Sequence, residues 1–195
     1  MESPGASGRF AKIAAPCICG WDGVKSSHTG GVNMYIRSTY PSPLGEIILV
    51  CDEEALVSLS LPGQKGFARD AENGEHPILT RAKAWLDDYF AGHAPSPAAL
   101  PLRPEGTAFR RLVWALLLEI PYGKTAAYGA LAKRAAEIWG KPRMSAQAVG
   151  QAVGANPIAI VIPCHRVVGA DGNLTGYAGD IHYKKALLQL EAPAP

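Results

Sequence analysis

The stretch "TAAYGALAKRAAEIWGKPRMSAQAVGQAVGAN", residues 125–156, decides the fold of the second half of the chain. Apolar residues recur in its first part at helical spacing, and Thr125 is placed to cap that helix. Gly140-Lys141-Pro142 interrupts the pattern, and Ser145 then precedes a short second helix rich in Ala and Gly. Two helices joined by a turn are typical of a helix-turn-helix. The small side chains allow close approach to a neighbouring helix or to a nucleic-acid backbone, and the sequence leaves both open.

Apolar periodicity predicts a helix on either side of this unit. "AFRRLVWALLLEI", residues 108–120, follows Thr107, which is a suitable capping residue. "YKKALLQLE", residues 183–191, is predicted to be the last helix and ends on Glu191. The second half of the chain is therefore predicted to be a series of short helices.

The first half has a different pattern. Within residues 34–92, two short apolar runs at 47–50 and 56–61 are separated by turn signals, which predicts an antiparallel meander. "HPILTRAKAWLDDYFAG", residues 76–92, then predicts a helix with a proline near its start and a glycine just past its end. Four prolines in residues 93–106 indicate a semi-rigid linker and a domain boundary.

Residues 1–33 are rich in Gly and Ser and lack sustained periodicity, so we expect a disordered extension. Lys12 interrupts its only apolar patch, which argues against a secretory signal. Cys17, Cys19 and His28 are in principle able to hold a metal, but a disordered tail is the simpler interpretation and we predict no metal site.

Composition and charge narrow the class of protein. The chain has 195 residues, 48% of them hydrophobic, which suits one or two globular domains. Its four cysteines do not resemble a disulfide framework, so we expect a reducing, cytoplasmic location. The apolar runs are too short to span a membrane. Residues 101–195 hold 11 Lys and Arg against 6 Asp and Glu, whereas residues 1–100 hold 8 against 11, so the second half is the one suited to a polyanion.

Cys164 is the candidate reactive residue. Pro157 and Pro163 bracket an apolar run that we expect to be extended and to deliver Cys164 to a turn. A cysteine reacts as its thiolate and therefore needs a base or a positive environment. His165 is adjacent, and it would reach the sulfur only at a bend or through water, with Glu191 as the group that orients it. From the residues alone, Cys164 is either a buried small hydrophobic residue or a nucleophile. A metal site at Cys164 and His165 would need further ligands, and too few are in view.

The motif around Cys164 carries a family resemblance. "PCHRVVG", residues 163–169, follows "GANPIAIVI" and precedes "LTGYAGDIHYKKALLQLE". This resembles the O6-alkylguanine-DNA alkyltransferases, also called methylated-DNA–protein-cysteine methyltransferases. The match covers residues 107–191 motif by motif and residues 34–92 more loosely, and residues 1–33 have no counterpart. It implies an α+β protein: a small antiparallel-sheet α/β domain of ribonuclease H type, then an all-α, winged-helix-like catalytic domain with the helix-turn-helix.

The resemblance also implies a function. An alkyl group would pass irreversibly, once per molecule, from O6-alkylguanine, and by extension O4-alkylthymine, in double-stranded DNA to the protein's own cysteine. The base would be flipped out through the minor groove. We expect no cofactor, no membrane association and a monomer, in the cytoplasm or on the nucleoid.

Residue roles follow from the same resemblance. Cys164 would be the acceptor, His165 the general base acting through a water, and Glu191 the residue that orients His165. Asn156 would tie the helix-turn-helix to the active-site segment. Tyr128 would help to turn the base out and would donate a proton to guanine N3, and Tyr177 would close the pocket over the base. The other residues expected to contact the base or the DNA are Lys184 of the final helix and the small residues Ala146, Ala148 and Gly150.

Three features depart from the family pattern. Gln147 stands in "SAQAVG" where an arginine usually fills the gap left by the flipped base, so we expect weaker DNA binding or an altered damage preference. The turn "AEIWGKPRM" is longer than usual, and its Lys141 and Arg143 are either phosphate contacts or plain surface charge. Asp180 replaces a glycine.

Two rival functions remain to be separated from this one. An alkyltransferase-like module that only flags damage lacks the acceptor cysteine, so Cys164 argues against it. A cysteine hydrolase would need an oxyanion hole and repeated turnover, and nothing in the sequence requires either.

Overall fold

A computed structural model of the chain describes residues 35–64, 70–174 and 180–192. The strands are β1 (Ile36–Ser42), β2 (Gly45–Cys51), β3 (Leu56–Ser60), β4 (Glu72–Asn73), β5 (Ala126–Ala127) and β6 (Val167–Val168). The helices are α1 (Pro77–Phe90), α2 (Ala108–Leu118), α3 (Tyr128–Trp139), α4 (Ala146–Gly154) and α5 (Ile181–Leu190), with short 3₁₀ helices at Pro97–Ala99 and Cys164–Arg166. None of the described helices has the length and apolar character needed to cross a membrane.

The N-terminal sheet has the strand order β3-β2-β1-β4. The predicted antiparallel meander is confirmed for β1, β2 and β3, but β4 runs parallel to β1, so the sheet is mixed. Sequence reasoning missed β4 because it is two exposed polar residues with no apolar alternation. Helix α1 covers this sheet, and the predicted helix with a proline near its start is confirmed, because α1 begins at Pro77.

The proline-rich linker packs against the sheet. Leu56 donates from its backbone N–H to the carbonyl of Pro101 at 2.8 Å, and the N–H of Arg103 donates to Leu56 O at 3.0 Å. Leu100 is buried. A proline lacks a donor but keeps its carbonyl, so such a segment can still pair with a strand edge. The linker therefore covers part of the β3 edge.

The C-terminal helices largely follow the predicted pattern. Thr107 caps α2 by accepting from Arg110 N at 3.3 Å, and Ser145 caps α4 by accepting from Gln147 N at 3.2 Å, as predicted. The predicted cap at Thr125 is wrong. Helix α3 begins at Tyr128, after β5, and its N-cap position is Ala127, which makes no side-chain cap hydrogen bond. Pairing of β5 with β6 competes with an earlier helix start.

Two expectations for this half need correction. It is not entirely α-helical, because β5 and β6 form a two-stranded parallel pair. Residues 159–162 form turns and a bend rather than an extended segment, and only Ile158 pairs with a strand. Both features depend on contacts between distant parts of the chain, which local periodicity does not report.

Strand β3 supports the segment that leads to Cys164. The backbone N–H of Leu59 donates to Pro157 O at 2.9 Å, and Ala159 N donates back to Leu59 O at 2.9 Å. The Ser58 hydroxyl also donates to Pro157 O, at 3.2 Å. The N-terminal sheet is thereby joined directly to the segment that leads to Cys164.

Candidate active site

The backbone before Cys164 makes two tight turns. Val161 N donates to Ala159 O at 2.7 Å around Ile160, and Cys164 N donates to Ile162 O at 2.8 Å around Pro163. Ile160 has a φ of 66°, a left-handed conformation that a β-branched residue rarely adopts. Such strain persists only where the surrounding structure imposes it, and it is frequent at functional sites.

Asn156 imposes this conformation from the end of α4. Its side-chain Nδ2 donates to Ile162 O at 2.8 Å, and its Oδ1 accepts from Ile158 N at 3.1 Å. One amide thus closes the segment at both ends. The structure places Asn156 between the helix-turn-helix and the Cys164 segment.

Replacing Asn156 with alanine is expected to destabilise the fold by about 1–3 kcal/mol, because it leaves the buried N–H of Ile158 without a partner and removes one of the two donors to Ile162 O. Chemical denaturation measures the loss, and Asn73→Ala, which removes an exposed hydrogen bond to Arg37, is the control. Equal stability of the two variants would show that Asn156 does not hold the segment.

The 3₁₀ helix Cys164–Arg166 provides the bend that adjacent reactive residues require. Cys164 is 5% exposed and His165 is fully buried. His165 Nε2 lies 2.8 Å from Glu191 Oε1, while its Nδ1 is buried without a hydrogen-bond partner among the described residues. Burial lowers the pKa of His165, and the contact with Glu191 only partly offsets this. The imidazole is therefore neutral, donates through Nε2 and keeps Nδ1 as an acceptor.

Glu191, the C-cap residue directly after α5, accepts hydrogen bonds from four other residues of the site. Its Oε1 accepts from Tyr89 Oη at 2.7 Å, from His165, and from Arg166 Nη2 at 2.9 Å. Its Oε2 accepts from Arg166 Nε at 2.8 Å and from Gly123 N at 3.1 Å. Burial would raise the pKa of this carboxyl, but the donors outweigh burial and hold the pKa well below its usual range. Glu191 is thus a permanent carboxylate.

Lys184 and Tyr128 belong to the surroundings of Cys164. Lys184 is fully buried; its Nζ donates to Val167 O at 2.6 Å and lies 5.9 Å from the Tyr128 ring centroid. Burial lowers the pKa of Lys184, and the Cys164 thiolate works in the opposite direction. Burial, with the same thiolate, raises the pKa of Tyr128 to about 12. Tyr128 therefore stays protonated, and the Lys184 amine lies near enough to the sulfur for a thiolate there to favour its charged form.

Helix α4 separates an apolar inner face from an outer face of small residues. Val149, Ala152 and Val153 are buried, and Trp114 Nε1 donates to Ala152 O at 2.8 Å. Ala146 and Gln147 are exposed, and Ala148 and Gly150 are partly exposed. A Cβ placed on Gly150 would lie 3.8 Å from the Tyr128 ring, so Tyr128 borders this face. The neighbouring helices therefore pack on the other face, and the small residues point outward.

Comparison with known proteins agrees with this architecture. Residues 35–104 match the ribonuclease-like domain of 6-O-methylguanine DNA methyltransferase, and residues 108–193 match its DNA-binding domain. The methylated-DNA–protein-cysteine methyltransferase of Haemophilus influenzae is 39% identical over 78% of this chain and 83% of its own length. That of Methanosarcina barkeri is 47% identical over 77% and 92%.

The chain belongs to the 6-O-methylguanine DNA methyltransferase family. Among solved structures, Mycobacterium tuberculosis OGT in complex with DNA is similar with a TM-score of 0.70 and 40% identity, covering 83% of this chain and 96% of that one. The α+β fold expected from the resemblance is confirmed, with the two corrections that the sheet is mixed and that the helical part contains a short strand pair.

Two residues of this methyltransferase-family site were missed from the sequence. Arg166 follows the Cys-His pair directly, and its place in the motif was the available signal. Tyr89 lies in the segment predicted to be a helix, and no local pattern reveals that its hydroxyl reaches Glu191, 102 positions away. Tyr177 lies outside the described residues.

The structure also shows where the other residues that depart from the family pattern lie. Asp180 caps α5, because its Oδ1 accepts from His182 N at 2.9 Å. Lys141 and Arg143 are exposed in the turn between α3 and α4. Within the described ranges, no group of three or more His, Cys, Asp and Glu residues is placed to hold a metal, and Cys17, Cys19 and His28 fall outside those ranges.

Proposed function

We propose that this chain transfers an alkyl group from O6 of guanine in double-stranded DNA to Sγ of its own Cys164. The observation that supports this most is the neutral His165, whose Nε2 is tied to the Glu191 carboxylate while Nδ1 is left as an acceptor. That arrangement accepts a proton from the neighbouring thiol through a water. Methylated-DNA–protein-cysteine methyltransferase is also the name given to its relatives.

The chemistry balances without a cofactor. His165 Nδ1 takes the thiol proton, and Sγ attacks the alkyl carbon as the bond from that carbon to O6 breaks. The electron pair of the broken bond stays on guanine. The Tyr128 phenol, positioned near Cys164, donates a proton to N3 of the departing base. Lys184 stabilises the thiolate before attack. The product thioether has no leaving group for a second cycle, so each molecule reacts once.

The outer face of α4 is the proposed DNA surface. Ala146, Ala148 and Gly150 present little bulk, which suits insertion into a minor groove, and Gln147 would take the place of the flipped base. Lys141 and Arg143 would contact phosphates from the adjoining turn. The DNA-binding domain match and the DNA complex of the Mycobacterium tuberculosis relative support double-stranded DNA as the partner. We further propose that the protein acts as a monomer on DNA in the cytoplasm or nucleoid.

Gln147→Arg is expected to tighten binding to damaged duplex DNA by about 1 kcal/mol and to make binding more salt-dependent. Arginine adds a charge and a broader stacking surface at an exposed position in the first turn of α4. Binding isotherms at two salt concentrations measure the change, and reaction with the free modified base is the control that should not respond. A neutral or weakened duplex affinity would show that Gln147 does not occupy the vacated base site.

The proposed function is tested by counting repaired bases. Duplex oligonucleotides carrying one O6-methylguanine or one O4-methylthymine are incubated with limiting protein, and the restored bases are quantified. We expect one restored guanine per protein molecule. More than one would favour a turnover enzyme such as a cysteine hydrolase, and DNA binding without restoration would favour a damage-flagging module. Sedimentation of the protein with and without DNA tests the monomer.

A further inference from the structure

Tyr89 brings the N-terminal domain into the acceptor site. It lies on α1, near the end of that helix, and is 1% exposed. Its hydroxyl is 2.7 Å from Glu191 Oε1 and 3.5 Å from His165 Nε2. The oxygen that holds His165 is therefore the same oxygen that Tyr89 contacts.

The ring of Tyr89 is fixed by its neighbours. It stacks on Trp85 with centroids 5.5 Å apart, and it meets Phe90 and Tyr122 edge-on at 5.4 and 6.0 Å. Burial, and then the negative charge of Glu191, raise the pKa of its hydroxyl far above the ordinary value. Tyr89 is thus a permanent donor with little freedom to turn away from the carboxylate.

We propose that Tyr89 is a positioning residue for alkyl transfer, which sets the basicity of His165 by sharing the charge on Glu191 Oε1. The effect of Tyr89 on alkyl transfer rests on the proposed function, whereas its effect on His165 does not. It gives the N-terminal domain a part in the reaction beyond supporting the second domain.

The direction of the effect follows from electrostatics. A donor on Oε1 disperses the negative charge that would otherwise attract a proton onto the imidazole. The other groups that face His165 are Glu191 itself, which favours the imidazolium, and Arg166 and Lys184, which disfavour it. Without the Tyr89 hydroxyl, the pKa of His165 rises. Because the neutral imidazole is the base, the acid limb of the rate profile then moves to higher pH.

Tyr89→Phe tests this, since it keeps the ring contacts and removes only the hydroxyl. We expect the pH at which transfer to Cys164 is half-maximal to rise by about half a pH unit, because only part of the free energy of one hydrogen bond to a carboxylate is passed on to the imidazole. We also expect a rate loss of roughly threefold to tenfold from the looser carboxylate. Affinity for the duplex carrying O6-methylguanine should stay unchanged, because Tyr89 lies far inside the protein.

The matched control is Tyr40→Phe. Tyr40 donates to Asp87 Oδ1 of α1 at 2.7 Å, so this substitution removes an exposed phenol–carboxylate bond at a position away from the site. A purely structural role for Tyr89 predicts a loss of thermal stability in Tyr89→Phe, with no movement of the pH profile in either variant. That result would overturn the proposal.

A second measurement separates failure of this inference from failure of the proposed function. The imidazole resonances of His165 are followed by NMR against pH in unreacted wild type and Tyr89→Phe, which requires no alkyl transfer. An upward shift of the His165 titration in Tyr89→Phe supports the coupling even if no transfer occurs. An unshifted titration contradicts it even if transfer occurs normally.

Discussion

Replacing Cys164 with alanine is expected to abolish alkyl transfer and to leave DNA binding intact. The sulfur forms the new bond, so no other group on the chain substitutes for it, whereas the proposed DNA surface is the outer face of α4. Alanine also fits the space, because the change removes only the sulfur of a side chain that is almost completely buried. Transfer is measured with a duplex carrying O6-methylguanine, and affinity is measured on the same duplex.

Cys51→Ala is the matched control. Cys51 is also buried, in β2, and burial raises the pKa of its thiol to about 11, so it remains a protonated core residue. This variant should transfer at the wild-type rate. Transfer by Cys164→Ala, or its loss in Cys51→Ala with the fold intact, would contradict the assignment of the acceptor.

Glu191→Gln is expected to have the largest combined effect on rate and stability. Neutralising this side chain leaves the Arg166 guanidinium buried without its counter-charge and removes the partner that orients His165. Breaking a buried pair in this way costs about 3–5 kcal/mol. Transfer should slow sharply as well, because an amide neither fixes Nε2 as the donor nor supports the imidazolium.

The pH dependence of stability gives an independent signature of Glu191. Its folded pKa is lowered, so its contribution is present above the pKa of an unfolded carboxyl and is lost as the pH falls through the lower, folded value. Unfolding of wild type and Glu191→Gln is compared across this acid range, with Glu54→Gln as the control at an exposed ion pair to Arg103. If Glu191→Gln loses no more stability than Glu54→Gln does, the Glu191 carboxylate does not stabilise the site in the way described.

Elements set by local signals were predictable from the sequence. The caps at Thr107 and Ser145 and the proline at the start of α1 each act within one helical turn, and all three were found where expected. Thr125 carried the same signal and failed, because strand β5 occupies the residues where its helix would begin. Local propensity was outweighed there by pairing with β6, some 40 residues later.

The site itself was predictable only in part. The residues alone singled out Cys164, His165 and Glu191 as candidates, but their roles came from the family resemblance, and helical spacing did not bring them together. The turn at Ile160 depends on Asn156 and on pairing of the same segment with β3, and neither leaves a periodic trace. Tyr89 shows the limit most clearly, since one aromatic residue serves the core of one domain and the carboxylate of the other.

The central claim is that Cys164 accepts the alkyl group, and peptide mass spectrometry tests it most directly. The protein is incubated with excess duplex containing O6-methylguanine, digested, and the peptide containing Cys164 is sequenced by fragmentation. We predict that this peptide gains one methyl group in place of the thiol hydrogen, on Sγ, in nearly every molecule, while Cys51 stays unmodified. Restored guanine with an unmodified Cys164, or a methyl group on another residue, would contradict the account.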